Sequence, residues 1–450
     1  MPMKVVLLAA GRSKRLKPIE DKNFLHFLGK PLIQLQMEQL ASVGLKDFLV
    51  IGGAHNLSSL RALARTLKYN IKVIEQKDLD AGMAGAVLSL RRYVKDEPML
   101  IVSANDVVDA SAYQLIFSAI KDRRFSSFIL GKKLASYFPG GYLKFKRNGQ
   151  MTGIVEKPKP GREPGRTVNL VIHYHGESKR LFKALEEVHT GNDDRYEMAL
   201  STLIRSGVKM KVIPYSGFWQ AVKYPWHILD LMDYFLGNLE KSLHGKPFLG
   251  KHVEIAKTAT IQGNVYLDEG VRVLDNAVII GPAYIGKNSI VATNALVRGS
   301  NLGVNCIAGY STEIARSFLG DQVWTHANYI GDSVIGNDVS FGSGTVTGNL
   351  RLDEGNILVN IQDEKIDSGR NKFGIITGNH VRCGINTSFM PGIKIGNNCF
   401  IGAGIAVPHD VPDNRFVYAK TELIIKENRA ELDRKKRQKM HKNLSSSRRT

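Results

Sequence analysis

The sequence predicts two domains of different class. The first is an α/β domain on a mainly parallel, Rossmann-like sheet; the second is a parallel β-helix of hexapeptide repeats. Three observations carry this. Short apolar runs of strand length alternate with amphipathic helical patterns as far as residue 232. From residue 251 a branched apolar residue recurs every six positions. The chain is 450 residues long and 43% apolar, enough for more than one core.

In the first domain, residues 1–232, the runs VVLLAA, DFLVIGG, IKVIEQ and MLIVSAND read as strands. LIQLQMEQLASVG and LSSLRALARTLK between them read as helices. Val5 to Leu8 break into a small turn, Ala9-Ala10-Gly11, followed by Arg12, Lys14 and Arg15, with Lys22 and Lys30 further on. Such a turn lets backbone N–H groups approach a polyphosphate while the cations neutralise it. The other reading is an ordinary βα turn beside a solvated basic face. Neither the three-glycine dinucleotide fingerprint nor a Walker A pattern is present. Ligands in such sheets sit at the carboxyl ends of strands, and Gly11, Gln76 and Asp106 all fall there.

Residues 233–250 read as a helix leading to the second domain, 251–420. Ile255, Ile261, Leu267, Val273, Ile279, Ile285, Val291 and Val297 keep the six-residue period without a miss. Three hexads make one triangular coil with the apolar residue pointing inward. The register slips near Gly303 and returns at Ile335, Phe341, Cys383, Phe389, Ile395, Ile401 and Val407. Residues 351–372 are polar and aperiodic and read as a loop projecting from the coil. Residues 421–450 read as a short helical segment with a basic, Ser-rich end, a solvated tail rather than a nucleic-acid arm.

The formal charge of +20 points to anionic partners such as nucleotides, sugar phosphates and coenzyme A. Nucleic acid is not expected, because only net charge and the tail favour it. The three cysteines, Cys306, Cys383 and Cys399, have no metal-ligand spacing and fit a reducing cytoplasm. No signal peptide is expected, since the apolar run after Lys4 is short. No run approaches the roughly 18–20 apolar residues of a membrane helix.

LLAAGRSKRLKP and DKNFLHFLGKPLI together resemble the signature of the sugar-1-phosphate nucleotidylyltransferases. EQKDLDAGMAGA (75–86), ANDVVD (104–109), GIVEKP (153–158), VNLVIHY (168–174) and GFWQAVKYPWHILD (217–230) are similar to that family's later motifs, in order. The hexads resemble the left-handed β-helix of hexapeptide acyltransferases. THANYIGDSVIGNDVSFGSGTVTGN (325–349) is similar to the acetyltransferase half of bifunctional N-acetylglucosamine-1-phosphate uridyltransferases, of which the archaeal type looks closest.

The resemblance implies a Rossmann-like nucleotidyltransferase domain followed by a left-handed β-helix. It implies that Ala10 and Gly11 cradle nucleotide phosphates, and that Arg15 and Lys22 offset charge as a sugar phosphate attacks. Gln76, whose amide can donate and accept at once, would read uracil or thymine, with Gly82 against the base. Asp106 would hold Mg²⁺. Glu156 and Asn169 would bind sugar hydroxyls, and Lys157 the sugar phosphate. In the second half His326 would be the catalytic base, Tyr329 and Asn349 substrate contacts, and Arg298 and Lys372 phosphate contacts, with acetyl-CoA as co-substrate. The implied enzyme is a cytoplasmic, Mg²⁺-dependent homotrimer joining UTP or dTTP to a sugar 1-phosphate, N-acetylglucosamine 1-phosphate foremost. Three departures stand out. Gly11-Arg12-Ser13-Lys14-Arg15 replaces the family's G-x-G-T-R, Ala221 stands where the family has a carboxylate or Asn on the metal, and Ala315-Arg316 replaces paired lysines. They keep two alternatives open: a non-catalytic nucleotide-sugar-binding regulatory or assembly subunit, or an acetyltransferase only.

Overall fold

The computed structural model describes residues 3–191, 194–420, 422–431 and 433–446. Residues up to Val417 form one compact unit, and those from Tyr418 a small second one.

The four expected strands are Lys4–Leu8, Asp47–Gly52, Asn70–Glu75 and Met99–Ser103. They pair in parallel, with Val6 beside both Leu49 and Ile101. The first, second and fourth are buried on both faces, which is why those runs read as continuous apolar stretches, whereas Asn70–Glu75 at the sheet edge is buried mainly at Ile74. Beyond Ser103 the expected parallel pattern gives way. Thr167–His175 joins Met99–Ser103 antiparallel, and Gly141–Phe145 and Met151–Glu156 extend the sheet antiparallel. A connection as short as residues 146–150 can only return as a hairpin; a parallel step needs a crossover.

The hexad region is a left-handed parallel β-helix of three sheets. Leu267, Val273, Ile279, Ile285, Val291 and Val297 point into a dry core. Ile255 stays exposed, because it belongs to the first coil and has no coil beneath it. The slip near Gly303 is a shortening of the coil. Val273 stacks on Val291 after 18 residues, Ile285 on Leu302 after 17, and Leu319 on Ile335 after 16.

The two halves share one apolar seam. Helix His227–Leu243 begins well before the expected linker at 233 and lies in that seam. The Phe27 ring is 5.1 Å from both Phe235 of this helix and Phe318 of the β-helix. Leu28 N–H donates to Asn301 Oδ1 at 2.9 Å across the same junction. At Gly29, with φ of 76°, a Cβ would overlap the Tyr284 hydroxyl. Residues 351–372 correct the expectation of a projecting loop. Leu358–Ile361 and Glu364–Asp367 form a hairpin, and Ile357, Val359 and Ile361 are buried in the seam. Arg370 reaches Asp230 at 2.5 Å. The polar residues mask this because alternate apolar ones carry the packing. In the second unit Arg434–Ser446 is helical.

Phe27 is fully buried between the halves. Phe27→Ala should lower unfolding stability by about 3–5 kcal/mol, read as a shifted urea midpoint. A midpoint unchanged from the parent would show that the seam does not hold the halves.

Candidate functional site

The carboxyl ends of Lys4–Leu8 and Asn70–Glu75 open on a cavity of about 650 Å³ lined by Ala10, Gly11, Gln76, Gly82, Asn105 and Glu156. The Gly11 turn is held from behind. Asp21 accepts from the Asn23 backbone N–H and side-chain amide at 2.9 and 2.7 Å, and from Asn56 Nδ2 at 2.8 Å. Both amides also donate to the Ala9 carbonyl, at 3.0 and 2.9 Å. Sequence reasoning passes over Asp21, Asn23 and Asn56. Their one local signal is the polar triplet around Lys22; Asn56 has none. In front the turn is open: a Cβ at Gly11 would meet only Lys22 Cε, at 3.9 Å.

Gln76 requires a correction. Its amide N–H₂ donates to the carbonyls of Asp78 and Gly82 at 2.8 and 2.9 Å. Both hydrogens are engaged by the chain, so the side chain offers a base an acceptor, not a donor–acceptor pair. Gly82, with φ of 55°, opens helix Gly82–Leu88 and supplies one of those carbonyls.

Of the expected cations, Arg12 pairs with Asp80. Arg15 lies over the Tyr224 ring at 5.6 Å. Lys22 Nζ is 3.4 Å from the Val222 carbonyl. Burial pulls Lys22 down to about 8, with Asp106 acting in the other direction. Lys157 lies 3.5 Å from Glu156. Asn169 is buried, and its Oδ1 is 2.7 Å from His173 Nε2. Behind it runs a closed relay that sequence reasoning does not find. His173 Nδ1 is 2.9 Å from the Tyr196 hydroxyl, which is 3.1 Å from His175 Nε2. Ser127 Oγ lies 3.3 Å from His175 Nδ1. One tautomer set satisfies every group: both Nε2 atoms carry hydrogen, while Tyr196 and Ser127 donate to the two Nδ1 atoms. This fixes the Asn169 amide with its oxygen accepting from His173 Nε2.

The residues at Asp106 do not fit the expected Mg²⁺. The antiparallel register sets Ala221 directly opposite Asp106, and a methyl group has no lone pair to give. Among the described residues no group of three or more His, Cys, Asp or Glu gathers to hold a metal ion. The charges that act on Asp106 instead are cationic. Burial raises its pKa, and Lys223 and then Lys22 act against that rise.

In the β-helix, the Asn349 amide donates to Tyr329 Oη at 3.1 Å and to Asp332 at 2.5 Å. Asp332 also holds Arg316 through two bonds of 2.7 Å. His326 is exposed on the turn that precedes Tyr329–Gly331. Arg298, expected to be free for a phosphate, is corrected: it is clamped to Glu313 at 3.0 and 2.6 Å. Lys372 is exposed and bridges in the backbone to Leu350.

Residues 4–222 match the nucleotidyl transferase family. A "bifunctional sugar-1-phosphate nucleotidylyltransferase/acetyltransferase" of Sulfurisphaera tokodaii is 33% identical over 425 residues, covering 92% of this chain and 99% of that protein. The chain belongs to that bifunctional family. A "bifunctional protein GlmU" of Methanocaldococcus jannaschii is 31% identical over 434 residues, covering 94% and 99%. A solved UDP-glucose pyrophosphorylase complexed with UDP-glucose is similar over 53% of this chain and 100% of its own, at 18% identity and a TM-score of 0.46. Family membership makes the chain a transferase with a nucleotidyl-transfer half and an acetyltransferase half.

Burial depresses His173 to about 3 and His175 to about 4, so both are neutral in the fold. Their unfolded value is near 6.5. The stability they confer is therefore complete above that pH and lost as pH falls toward the folded values, at up to about 1.4 kcal/mol per pH unit each. Melting temperature should fall from about pH 6.5 to about pH 5, and His175→Gln should flatten that fall. An unchanged slope in the variant would refute the neutral relay.

Proposed function

We propose that the first half joins UTP or dTTP to a sugar 1-phosphate, N-acetylglucosamine 1-phosphate foremost, and that the second acetylates the amino-sugar phosphate beforehand. One observation carries the first reading: the Gly11 turn, Gln76 and Glu156 line one cavity, with Arg15 and Lys22 electrostatically linked at the turn. Uracil and thymine present an N3–H donor, which an acceptor such as Gln76 Oε1 selects; cytosine presents a lone pair there. A phosphate oxygen of the sugar 1-phosphate attacks the α-phosphorus of the nucleotide. The bond to the bridging oxygen breaks and pyrophosphate leaves. Arg15 and Lys22 offset the charge that builds up. Glu156 and the Asn169 N–H₂ take the sugar hydroxyls, and Lys157 its phosphate.

In the second half, His326 takes a proton from the amine as the nitrogen attacks the acetyl-CoA thioester carbonyl, and the coenzyme A thiol leaves. Tyr329 and Asn349 position the acceptor, with Lys372 left as a phosphate contact. The assembly proposed is a homotrimer. Supporting it, Trp324, Phe400 and Phe416 stand exposed on one sheet of the coil, stacked in register through Ser340 and Arg382. A cytoplasmic setting suits the three buried free thiols.

A pyrophosphate-release panel should favour UTP and dTTP over CTP by roughly ten- to a hundredfold; equal rates would sink the Gln76 assignment. Gly11→Ala should leave the melting temperature unchanged yet raise KM for UTP about tenfold, since the turn has room for a methyl only without phosphate. His326→Ala should cut thiol release from acetyl-CoA by about 10²–10⁴-fold; full activity in the variant would remove the assigned base. Light scattering should give three times the mass of one chain, and Trp324→Asp should break it down. A single-chain mass for the parent would exclude the trimer.

A further inference from the structure

The misfit at Asp106 has a specific shape. The strand Trp219–Ala221 pairs with Asp106–Val108, and the pairing continues through Val222 N–H to the Asn105 carbonyl at 3.0 Å. Lys223 follows at once. In an extended run, positions two apart share a side, so Lys223 lies on the side of Ala221. Lys22 approaches from the Gly11 loop and donates to the Val222 carbonyl at 3.4 Å. Both lysines thus bring positive charge to the neighbourhood of the Asp106 carboxylate, and each acts to lower its pKa. Lys223 Nζ is anchored by the Pro139 carbonyl at 2.6 Å and lies 3.7 Å from the centre of the Phe138 ring. That uses one of its three N–H donors and leaves two.

Charge arithmetic gives the arrangement a meaning. A dication on one carboxylate presents a net charge of about +1 to a phosphate, and two ammonium groups on one carboxylate present the same. Besides Asp106, the charges that act on Lys223 are Arg15, Glu156 and Lys157, the set proposed to flank the reacting phosphates.

We infer that Lys223, with Lys22, stands in for a divalent cation at Asp106, so that the nucleotide phosphates are held by ammonium groups. The inference rests on the nucleotide reading of the first half. It makes Lys223 a phosphate-binding residue, and it makes Ala221 the partner of that change: a carboxylate at 221 would compete with phosphate for the same ammonium.

Isothermal titration of the full chain with UTP, in EDTA and in Mg²⁺, tests this. Affinities in the two buffers should agree within about threefold, and Lys223→Met should weaken binding in EDTA by about tenfold or more. Lys223→Arg should retain most of it, which separates charge from packing. An independent readout is the electron paramagnetic resonance signal of Mn²⁺ in the presence of UTP. The parent protein should not lower the signal beyond what UTP alone does, and Ala221→Asp with Lys223→Gly should. UTP binding that collapses in EDTA, Mn²⁺ retained by the parent, or EDTA binding indifferent to Lys223→Met would each overturn the inference. No UTP binding in either buffer would overturn the nucleotide reading as well. If Lys223→Met fails to fold, the two parent measurements still decide.

Discussion

Phe27, packed between Phe235 and Phe318, is the constraint on which the rest of the molecule depends. The segment that carries it is the one that leaves the Gly11 turn. Leu16, Ile19, Leu25 and Phe27 are buried in the seam, with Arg15 just before them in the chain and Lys22 between Ile19 and Leu25. The apolar side chains take the β-helix as their core, while Lys22 reaches the Val222 carbonyl and Arg15 lies over the Tyr224 ring. Hydrophobic burial is non-directional and strong; it places this loop, and hydrogen bonds from Asp21, Asn23 and Asn56 then shape it. The second half is therefore part of the scaffold of the first site, quite apart from its own chemistry.

The two sites differ in how the fold completes them. The cavity proposed for the nucleotide is built from strand ends of one sheet, backed by buried polar groups with satisfied partners, such as the His173–Tyr196–His175 relay. Partners of that kind hold the Asn169 amide in one orientation. The residues proposed for acetyl transfer sit on an outer surface. Tyr329, Asn349, Asp332 and Arg316 form a connected polar row, whereas His326 stands exposed beside it. Two arginines there are already paired with carboxylates, so the coil presents less free positive charge than its sequence promises.

Legibility followed the range of the forces. The four parallel strands and the hexad positions were readable, because periodicity records which face is buried. So were the turn at Gly11 and the strand ends at Gln76 and Asp106, because local composition marks a strand that breaks into a small or polar turn. The antiparallel return of Thr167–His175 was not, since pairing partners far apart in sequence leave no periodic trace. Nor was the hairpin within residues 351–372, where alternating apolar residues are diluted by charge. Asn56 contributes to the site only through contacts made 35 and 47 residues away.

By itself the sequence determined the two domain classes, the phosphate-suited turn and the loss of a carboxylate at Ala221. These are properties of local pattern or of single residues. Tertiary structure alone decided that both Gln76 hydrogens are engaged, that Arg298 is paired with Glu313, and that Lys22 reaches the Val222 carbonyl beside Lys223. Hydrogen bonding and charge compensation depend on distance between groups, and folding sets those distances between residues far apart in the chain, as at Leu28 and Asn301, 273 positions apart.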